Sequence, residues 1–305
     1  TANYAAFSTA NMNNITGGTG NDTFIFGATF DGNDFDASGE ALNGGGGTDV
    51  FQASFAAFIG TALRLSSIEE LRFNAFANGV GVNLAGVIGL TTATIEADGS
   101  SNSGFALLNI SGSPLPTLQF RGNGTQASQT YDGVLYAATG VTGSSDSLTV
   151  YVDNRGTALN ASGTTNAHTV GNVQLPGIEN VTLNVSDGPG VFNGLGASTL
   201  VTLSVTGSSN VTLGTVDVVA STIVQLYAGN VSGNFAAWTD DLASGALVTL
   251  GSGNDTFSSA GSAGTSATID GGAGNDTITG ADLSADVVNG GAGNDILYGA
   301  AGNDT

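Results

Sequence analysis

Residues 271–278 read Gly271-Gly272-Ala273-Gly274-Asn275-Asp276-Thr277-Ile278. The pattern returns as Gly290-Gly291-Ala292-Gly293-Asn294-Asp295-Ile296-Leu297 and as Gly299-Ala300-Ala301-Gly302-Asn303-Asp304-Thr305. A looser copy, Gly251-Ser252-Gly253-Asn254-Asp255-Thr256-Phe257, precedes them. Each copy is a glycine-rich turn that ends on an aspartate and continues into a short apolar segment. A tandem repeat of this kind predicts stacked coils.

The repeat has a period of nine residues, as the spacing of Asp295 and Asp304 shows. Between Asp276 and Asp295 lies a degenerate turn, residues 280–288, in which Asp286 takes the acidic place after one inserted residue. If two units make one coil, residues about 18 apart stack on one edge. We therefore expect Asp276 to pair with Asp295, and Asp286 with Asp304.

The N-terminal end carries the same signature in residues 17–24 and 44–51. Asp22 and Asp49 of these two copies are 27 residues apart, and Asp31 and Glu40 fall on the nine-residue steps between them. The phasing predicts four turns in this region, although the middle two lack the glycine pattern. By the 18-residue rule, Asp22 should pair with Glu40, and Asp31 with Asp49.

These turns suit a hard divalent cation. Glycines permit positive φ angles and let carbonyl oxygens crowd around an ion, and the aspartate adds charge and a side-chain oxygen. We expect several structural Ca²⁺ ions to lie between coils. The predicted metal-site residues are Gly18, Gly20, Asp22, Asp31, Glu40, Gly45, Gly47, Asp49, Gly253, Asp255, Gly272, Gly274, Asp276, Asp286, Gly291, Gly293, Asp295, Gly302 and Asp304.

Composition points the same way. The 305 residues include 25 acidic and 4 basic ones, for a net charge of -21. This balance argues against nucleic acid or an anionic membrane as a partner, and bound cations are the natural compensation. The chain has no cysteine, so it can form neither disulfides nor cysteine-ligated metal sites. No apolar run approaches the length of a membrane span, so we expect no membrane insertion.

The central stretch alternates apolar and polar residues with period two, for example in residues 147–152, 181–185 and 200–205, and reads as strands. A weak long repeat links Ser67-Ile68-Glu69-Glu70 to Gly177-Ile178-Glu179-Asn180. Only residues 235–243 resemble a short helical turn. Trp238 and Phe235 are expected to form a packed local cluster, with a sugar-stacking patch as the alternative.

The expected fold is all-β, an elongated parallel β-solenoid with β-roll turns at both ends and a β-helix-like centre. We place the divisions at residues 1–52, 53–245 and 246–305, and we expect the last part to continue in a longer protein. Phe24, Phe51, Ile278, Val288 and Leu297 should point into the core. That core is too thin to be stable alone, because ordering the backbone costs about 1 to 2 kcal/mol per residue. Calcium should supply the missing stability.

The repeats resemble the repeats-in-toxin (RTX) family, the calcium-binding β-roll of proteins secreted by bacterial type I systems. The resemblance implies that low cytoplasmic calcium keeps the chain unfolded for export and that millimolar calcium outside folds it. The central region is similar to RTX surface-layer (S-layer) proteins of the Caulobacter type. In those proteins too, elements such as Gly-Thr-Asp-Val and Gly-Ile-Glu-Asn-Val-Thr-Leu punctuate threonine-rich strands.

Enzymes that accompany such repeats are disfavoured by the residues. A metalloprotease helix needs two histidines around a glutamate, and the only histidine is His168, expected in an exposed loop. A lipase motif at Gly251 coincides with a calcium turn. A β-helix polysaccharide lyase or epimerase needs a basic groove, whereas this chain has four scattered arginines and no lysine. Arg72 is expected to form a salt bridge with the adjacent acidic residues, and Arg155 to lie in a turn.

We therefore expect a non-enzymatic, secreted, cell-surface structural protein that assembles with itself into an S-layer, filament or matrix when calcium is present. The alternative is a calcium-rigidified stalk or binding segment of a large RTX adhesin. The expected partner is a further copy of the chain, and a cell-surface polysaccharide is the second candidate.

Overall fold

The structure, a computed structural model, describes residues 3–5, 14–30, 41–55, 59–76, 80–96, 102–122, 129–141, 143–153, 168–217, 222–262, 264–282 and 284–305. Within these ranges every regular element is a β-strand. No helix in them is long and apolar enough to cross a membrane. The chain is therefore all-β, as the short alternating segments predict.

In chain order the first fourteen strands are β1 (Asn3–Ala5), β2 (Ile15–Thr16), β3 (Thr23–Phe30), β4 (Leu42–Asn43), β5 (Val50–Phe55), β6 (Ile59–Ala62), β7 (Leu65–Ser66), β8 (Glu70–Phe76), β9 (Val80–Asn83), β10 (Val87–Ile88), β11 (Thr92–Glu96), β12 (Asn102–Ile110), β13 (Thr117–Arg121) and β14 (Gln129–Ala138). The remaining strands are β15 (Ser147–Asp153), β16 (His168–Gln174), β17 (Asn180–Ser186), β18 (Gly190–Gly196), β19 (Thr202–Gly207), β20 (Val211–Asp217), β21 (Ile223–Val231), β22 (Phe235–Thr239), β23 (Leu242–Thr249), β24 (Thr256–Ser258), β25 (Ala267–Asp270), β26 (Thr277–Thr279), β27 (Val287–Asn289) and β28 (Ile296–Tyr298).

The strands form three parallel sheets. Sheet 1 has 13 strands in the order β1-β3-β5-β8-β11-β13-β15-β17-β19-β21-β23-β25-β27. Sheet 2 has 11 strands in the order β28-β26-β24-β22-β20-β18-β16-β14-β12-β9-β6. Sheet 3 is a short third face of four strands, β10-β7-β4-β2. Because successive strands of one sheet alternate in the chain with strands of another, the fold is a parallel β-solenoid.

The core is a set of inward-facing columns. In register along sheet 1 lie Phe24, Phe51, Leu71, Ala93, Leu118, Val150, Leu183 and Val205, all buried. Phe73 of sheet 1 packs against Phe105 of sheet 2 with ring centroids 5.1 Å apart. Period-two alternation explains the pattern, since every second side chain of a strand faces the same side.

The predicted core positions hold with one exception. Phe24, Phe51 and Ile278 are buried, and Val288 is partly buried against the core. Leu297 lies in register with the buried Ile278 and so faces the core side of sheet 2, but its side chain is 44% exposed. It lies on β28, the last strand of sheet 2 in the described part of the chain.

The helical turn expected at residues 235–243 is also wrong, because this segment forms β22 and the start of β23. The apolar residues are spaced ambiguously there, and pairing with the flanking coils decides in favour of strand. Phe235 is fully buried and Trp238 is 42% exposed, so the two do not form the expected packed cluster. His168 opens β16 and does not lie in a loop.

The three expected divisions of the chain stay a prediction. Sheet 1 continues across both proposed divisions, because β5 spans residues 52 and 53 and β23 spans residues 245 and 246.

Candidate metal centre

Three aspartates stack where the strands of sheet 2 begin. Asp255, Asp276 and Asp295 immediately precede β24, β26 and β28, and we call them the C-terminal column. Oδ1 of Asp276 accepts a hydrogen bond from the backbone N–H of Asp255 at 2.8 Å, and Oδ1 of Asp295 accepts one from Asp276 at 3.0 Å. Each carboxylate thus joins its own coil to the coil before it. The expected pairing of Asp276 with Asp295 is confirmed.

The second predicted pair lies on the other sheet. Asp286 precedes β27 of sheet 1, and its backbone N–H donates to Oδ1 of Asp304 at 3.0 Å. Oδ1 of Asp286 in turn accepts from Ala267 at 2.7 Å. The expected pairing of Asp286 with Asp304 is therefore confirmed, and acidic residues occupy both edges of the last coils.

The N-terminal pairing differs from the expectation. The backbone N–H of Asp22 donates to Oδ1 of Asp49 at 2.8 Å, so these two residues, 27 apart, are stacked neighbours. One whole coil separates Asp22 from Asp49 in the chain, whereas the 18-residue rule pairs Asp22 with Glu40 and Asp31 with Asp49. Asp31 and Glu40 themselves lie outside the described residues.

A glutamate continues this column. The backbone N–H of Asp49 donates to Oε2 of Glu69 at 2.7 Å, which is the bond that aspartates accept elsewhere. We call Asp22, Asp49 and Glu69 the N-terminal column. In the middle of sheet 1, Glu179 accepts in the same way from the N–H of Asp146 at 2.9 Å.

Glu69, Asp146 and Glu179 were not among the predicted site residues. The available signal was the long repeat, in which Glu69 and Glu179 occupy the same place. It was insufficient because these coils lack the glycine turn on which the prediction rested.

The glycines of the repeat explain how carbonyls reach the carboxylates. A Cβ on Gly271 would lie 2.5 Å from the Gly290 carbonyl oxygen and 2.7 Å from Asp276 Oδ2. Both oxygens therefore face the space that a side chain would fill. Among the predicted glycines, a positive φ is found at Gly45, Gly47, Gly272, Gly274, Gly291 and Gly293. Gly18, Gly20, Gly253 and Gly302 have ordinary backbone conformations.

The electrostatics of the columns favour a cation. Oδ2 of Asp49 and Oδ2 of Asp276 are buried without a hydrogen-bond partner. Burial raises the pKa of Asp255 to about 6, against the lowering effect of N–H groups from Phe235 and Gly251. Burial likewise raises the pKa of Asp276, and the Asp295 carboxylate adds to the effect. A buried, poorly solvated carboxylate is costly, and a hard divalent ion is the charge that matches oxygen ligands.

Side chains alone do not complete a site. No group of three or more His, Cys, Asp or Glu residues is arranged to hold a metal within the described ranges. Each stacked pair supplies carboxylate oxygens, and backbone carbonyls such as that of Gly290 lie beside them. The residues thus fit calcium, whose coordination combines carboxylates with carbonyls. The ligand role of each predicted residue stays a prediction.

An asparagine column runs outside the acidic one. Oδ1 of Asn254 accepts a hydrogen bond from the N–H of Asn275 at 2.8 Å, and Oδ1 of Asn275 accepts from Asn294 at 2.8 Å. Upstream, Asn210 accepts from Asn234, and Asn234 accepts from Asn254, both at 2.9 Å. Hydrogen bonds to the asparagine side chains therefore join five coils, a feature that the nine-residue repeat did not predict.

A polar cluster covers part of the outer face of sheet 1. Arg72 contacts Glu70 at 3.0 Å and Glu96 at 3.5 Å, and Arg121 contacts Glu96 at 3.7 Å and Asp153 at 3.8 Å. The expected salt bridge of Arg72 is confirmed. Burial raises the pKa of Glu96, although the two arginines oppose the shift. Arg155 lies outside the described residues.

The family model of the RTX calcium-binding nonapeptide repeat (4 copies) matches residues 261–282 and 281–305. These residues carry the last turns of the C-terminal column and the pair formed by Asp286 and Asp304. No curated protein and no solved structure matches the chain.

Proposed function

We propose that this chain, whose residues 261–305 match the RTX calcium-binding nonapeptide repeat, is an extracellular structural protein whose coils are held together by calcium. The observation that carries the proposal is the buried, unpartnered Oδ2 of Asp276 within the C-terminal column. A fold that stacks buried carboxylates directly above one another needs an opposite charge between them.

The chain's own groups define where that charge would lie. Asp276 would offer Oδ2, the neighbouring coil would offer the Gly290 carbonyl, and glycine at position 271 keeps the space open. Bound calcium supplies two positive charges that link successive coils. Without the ion, the stacked carboxylates repel one another, and the calcium-free fold is weakened.

Calcium-dependent folding would suit a secreted protein. A chain that stays unfolded at low calcium can be exported, and it folds outside, where free calcium is about millimolar and extracellular modules bind calcium with Kd values of about 10⁻⁴ to 10⁻³ M. The strongly negative composition is consistent with this route, since the cation is present only at the destination.

The ion pairs made by two of the arginines favour a structural role over a catalytic one. Arg72 and Arg121 are each engaged by carboxylates, so they do not form the open basic groove that binding a uronate requires. The fold itself is suited to a mechanical element: 13 strands spaced about 4.8 Å apart make a stack about 60 Å long.

Self-assembly is the expected use of this rod. Val224 and Leu247 lie on neighbouring strands of sheet 1 with 50% and 52% of their side chains exposed, and Trp238 of sheet 2 is 42% exposed. Apolar side chains on flat sheet faces provide lateral contacts between copies. We propose an S-layer, filament or matrix unit; an adhesin stalk, or a rod that binds cell-surface polysaccharide, is the competing role.

Negative-stain electron microscopy of the purified chain tests the proposal. In millimolar calcium we expect ordered sheets or filaments that disappear with chelator and do not form in magnesium alone. Leu247→Ser should reduce assembly while leaving the calcium-dependent circular dichroism spectrum unchanged. Isolated rods in calcium would overturn the assembly proposal in favour of a stalk.

A further inference from the structure

Asp49 is the residue of the N-terminal column whose charge is least satisfied. Its side chain is 0% exposed. Oδ1 accepts from the N–H of Asp22, whereas Oδ2 is buried without a hydrogen-bond partner. A buried carboxylate oxygen without a hydrogen-bond donor is unfavourable unless another positive group compensates it. The position therefore calls for a cation close to Oδ2.

A second oxygen faces the same space from the next coil. A Cβ on Gly44 would collide with both Asp49 Oδ2 and the carbonyl oxygen of Ser67. One coil earlier, a Cβ on Gly17 would collide with the carbonyl of Gly44 and lie 2.8 Å from Asp22 Oδ2. Ser67 thus presents the carbonyl that a repeat glycine presents elsewhere, and its φ of 48° is unusual for a residue with a side chain.

Glu69 completes the arrangement. Its Oε2 accepts from the N–H of Asp49 at 2.7 Å, as Asp49 Oδ1 does from Asp22. The coil that contains Ser67 and Glu69 has no Gly-Gly-x-Gly turn. It nevertheless places a carbonyl and a carboxylate beside Asp49, like a repeat unit.

We infer that Asp49, Glu69 and the Ser67 carbonyl form a divalent-cation site between the last N-terminal repeat turn and a coil outside the repeat. The inference rests on the proposed function, in which acidic columns hold calcium. It adds a ligand type, glutamate, and a sequence signature, Ser67-Ile68-Glu69, that the nonapeptide pattern does not contain. The ion belongs to the hard, oxygen-binding class, with calcium as the expected occupant.

The chain contains a matched control for this site. Glu179 accepts from the N–H of Asp146 at 2.9 Å, and Ile178 before it is buried like Ile68. The difference lies in the aspartate: Asp146 is only partly buried, and its Oδ2 accepts from the N–H of Gly143 at 3.3 Å. The geometry therefore requires a cation at Asp49 and not at Asp146.

The experiment counts bound calcium on the full chain and on Glu69→Gln and Glu179→Gln variants, by metal analysis after equilibrium dialysis against calcium alone. An amide oxygen can keep the hydrogen bond to the preceding coil, so both variants retain that contact. We expect one ion fewer per chain for E69Q and an unchanged count for E179Q. Equal counts for E69Q and the parent chain would overturn the inference.

A complete absence of bound calcium in the parent chain would instead overturn the proposed function. Should E69Q fail to fold, crystals of the parent chain grown in calcium decide the matter through anomalous scattering. We expect a peak about 2.3–2.6 Å from Asp49 Oδ2 and the Ser67 carbonyl oxygen. No peak there, beside a peak at Asp276, would overturn the inference and leave the proposed function intact.

Discussion

At the scale of single residues, Asp255 illustrates the conflict that calcium would resolve. Its side chain is 1% exposed, Oδ1 accepts from Phe235 at 2.7 Å and Oδ2 accepts from Gly251 at 2.8 Å. Burial nevertheless raises its pKa to about 6, and the Asp276 carboxylate contributes to the rise. The fold therefore disfavours the charge of Asp255 unless a cation is present.

We predict opposite effects of Asp255→Asn with and without calcium. In chelator the variant should retain more β-structure, because a buried charge is removed while the amide oxygen can still accept a hydrogen bond. In millimolar calcium its melting temperature should fall, because a ligand is lost. Far-UV circular dichroism measures both. Asp270→Asn, at an exposed position, is the control and should change neither; a change of the same sign in both conditions would contradict the account.

The pKa of Asp255 also predicts a pH dependence. The folded value of about 6 lies above the ordinary 3.8, so the folded state binds protons more tightly than the unfolded state. Stability without calcium should therefore rise as pH falls from about 6 toward 4, and calcium binding should weaken over the same window. Calcium titrations at pH 7 and pH 5 check this, and D255N should show a smaller difference between them.

Two glycines at the same place in the repeat should behave differently. Gly274 has φ of 129°, and a Cβ there would collide with the Gly253 carbonyl oxygen, whereas a Cβ on Gly20 meets nothing within 4 Å. Gly274→Ala should destabilise the calcium-bound chain by more than about 2 kcal/mol, and Gly20→Ala by less than about 0.5 kcal/mol. Denaturant unfolding in calcium measures both, and equal losses would show that the repeat pattern alone, not the local geometry, matters.

At the scale of elements, the asparagine column joins coils independently of calcium. Asn254→Ala removes the acceptor for Asn275 N–H and should cost about 0.5–1.5 kcal/mol. Asn294→Ala is the control, because Asn294 donates to Asn275 but lies in the last rung that the structure describes. Denaturant unfolding in calcium should give a lower free energy of unfolding for N254A than for N294A. An unchanged free energy of unfolding for N254A would mean that water replaces the hydrogen bond to Asn275 N–H.

Much of this organisation could be predicted from the sequence, because period-two alternation and repeated aspartates are local signals. The pairings Asp276–Asp295 and Asp286–Asp304 followed from the nine-residue period. At the N-terminal end Asp22 stacks on Asp49, 27 residues later, so this coil is longer than two nine-residue units. Coil length is set by how far the chain extends before it re-enters the sheet, which the sequence period does not reveal.

Other features depended on neighbours in space. Residues 235–243 form strands because the flanking coils offer parallel partners to β22 and β23. Glu69 joins the N-terminal column only through its contact with Asp49, 20 residues earlier. Each of these outcomes depends on which coils become neighbours in the solenoid. The residue pattern of a single segment does not reveal this.

At the scale of the whole molecule, the two long sheets make the coils interdependent. Sheet 1 runs from β1 to β27 and sheet 2 from β6 to β28, so the two sheets run side by side along most of the stack. In a solenoid each coil contacts only its neighbours, so stability is about the sum of coil and interface terms. The N-terminal and C-terminal columns lie near the two ends of the stack, so calcium bound there would stabilise its terminal coils.

The central claim is that calcium, bound between stacked carboxylates, is what folds this solenoid, and a calcium titration of the full chain followed by far-UV circular dichroism tests it most directly. We expect a largely unfolded spectrum in chelator and a cooperative gain of β-signal as calcium reaches the millimolar range, with no such gain in equal magnesium. A full β-spectrum in chelator, with a melting temperature that calcium leaves unchanged, would contradict the account.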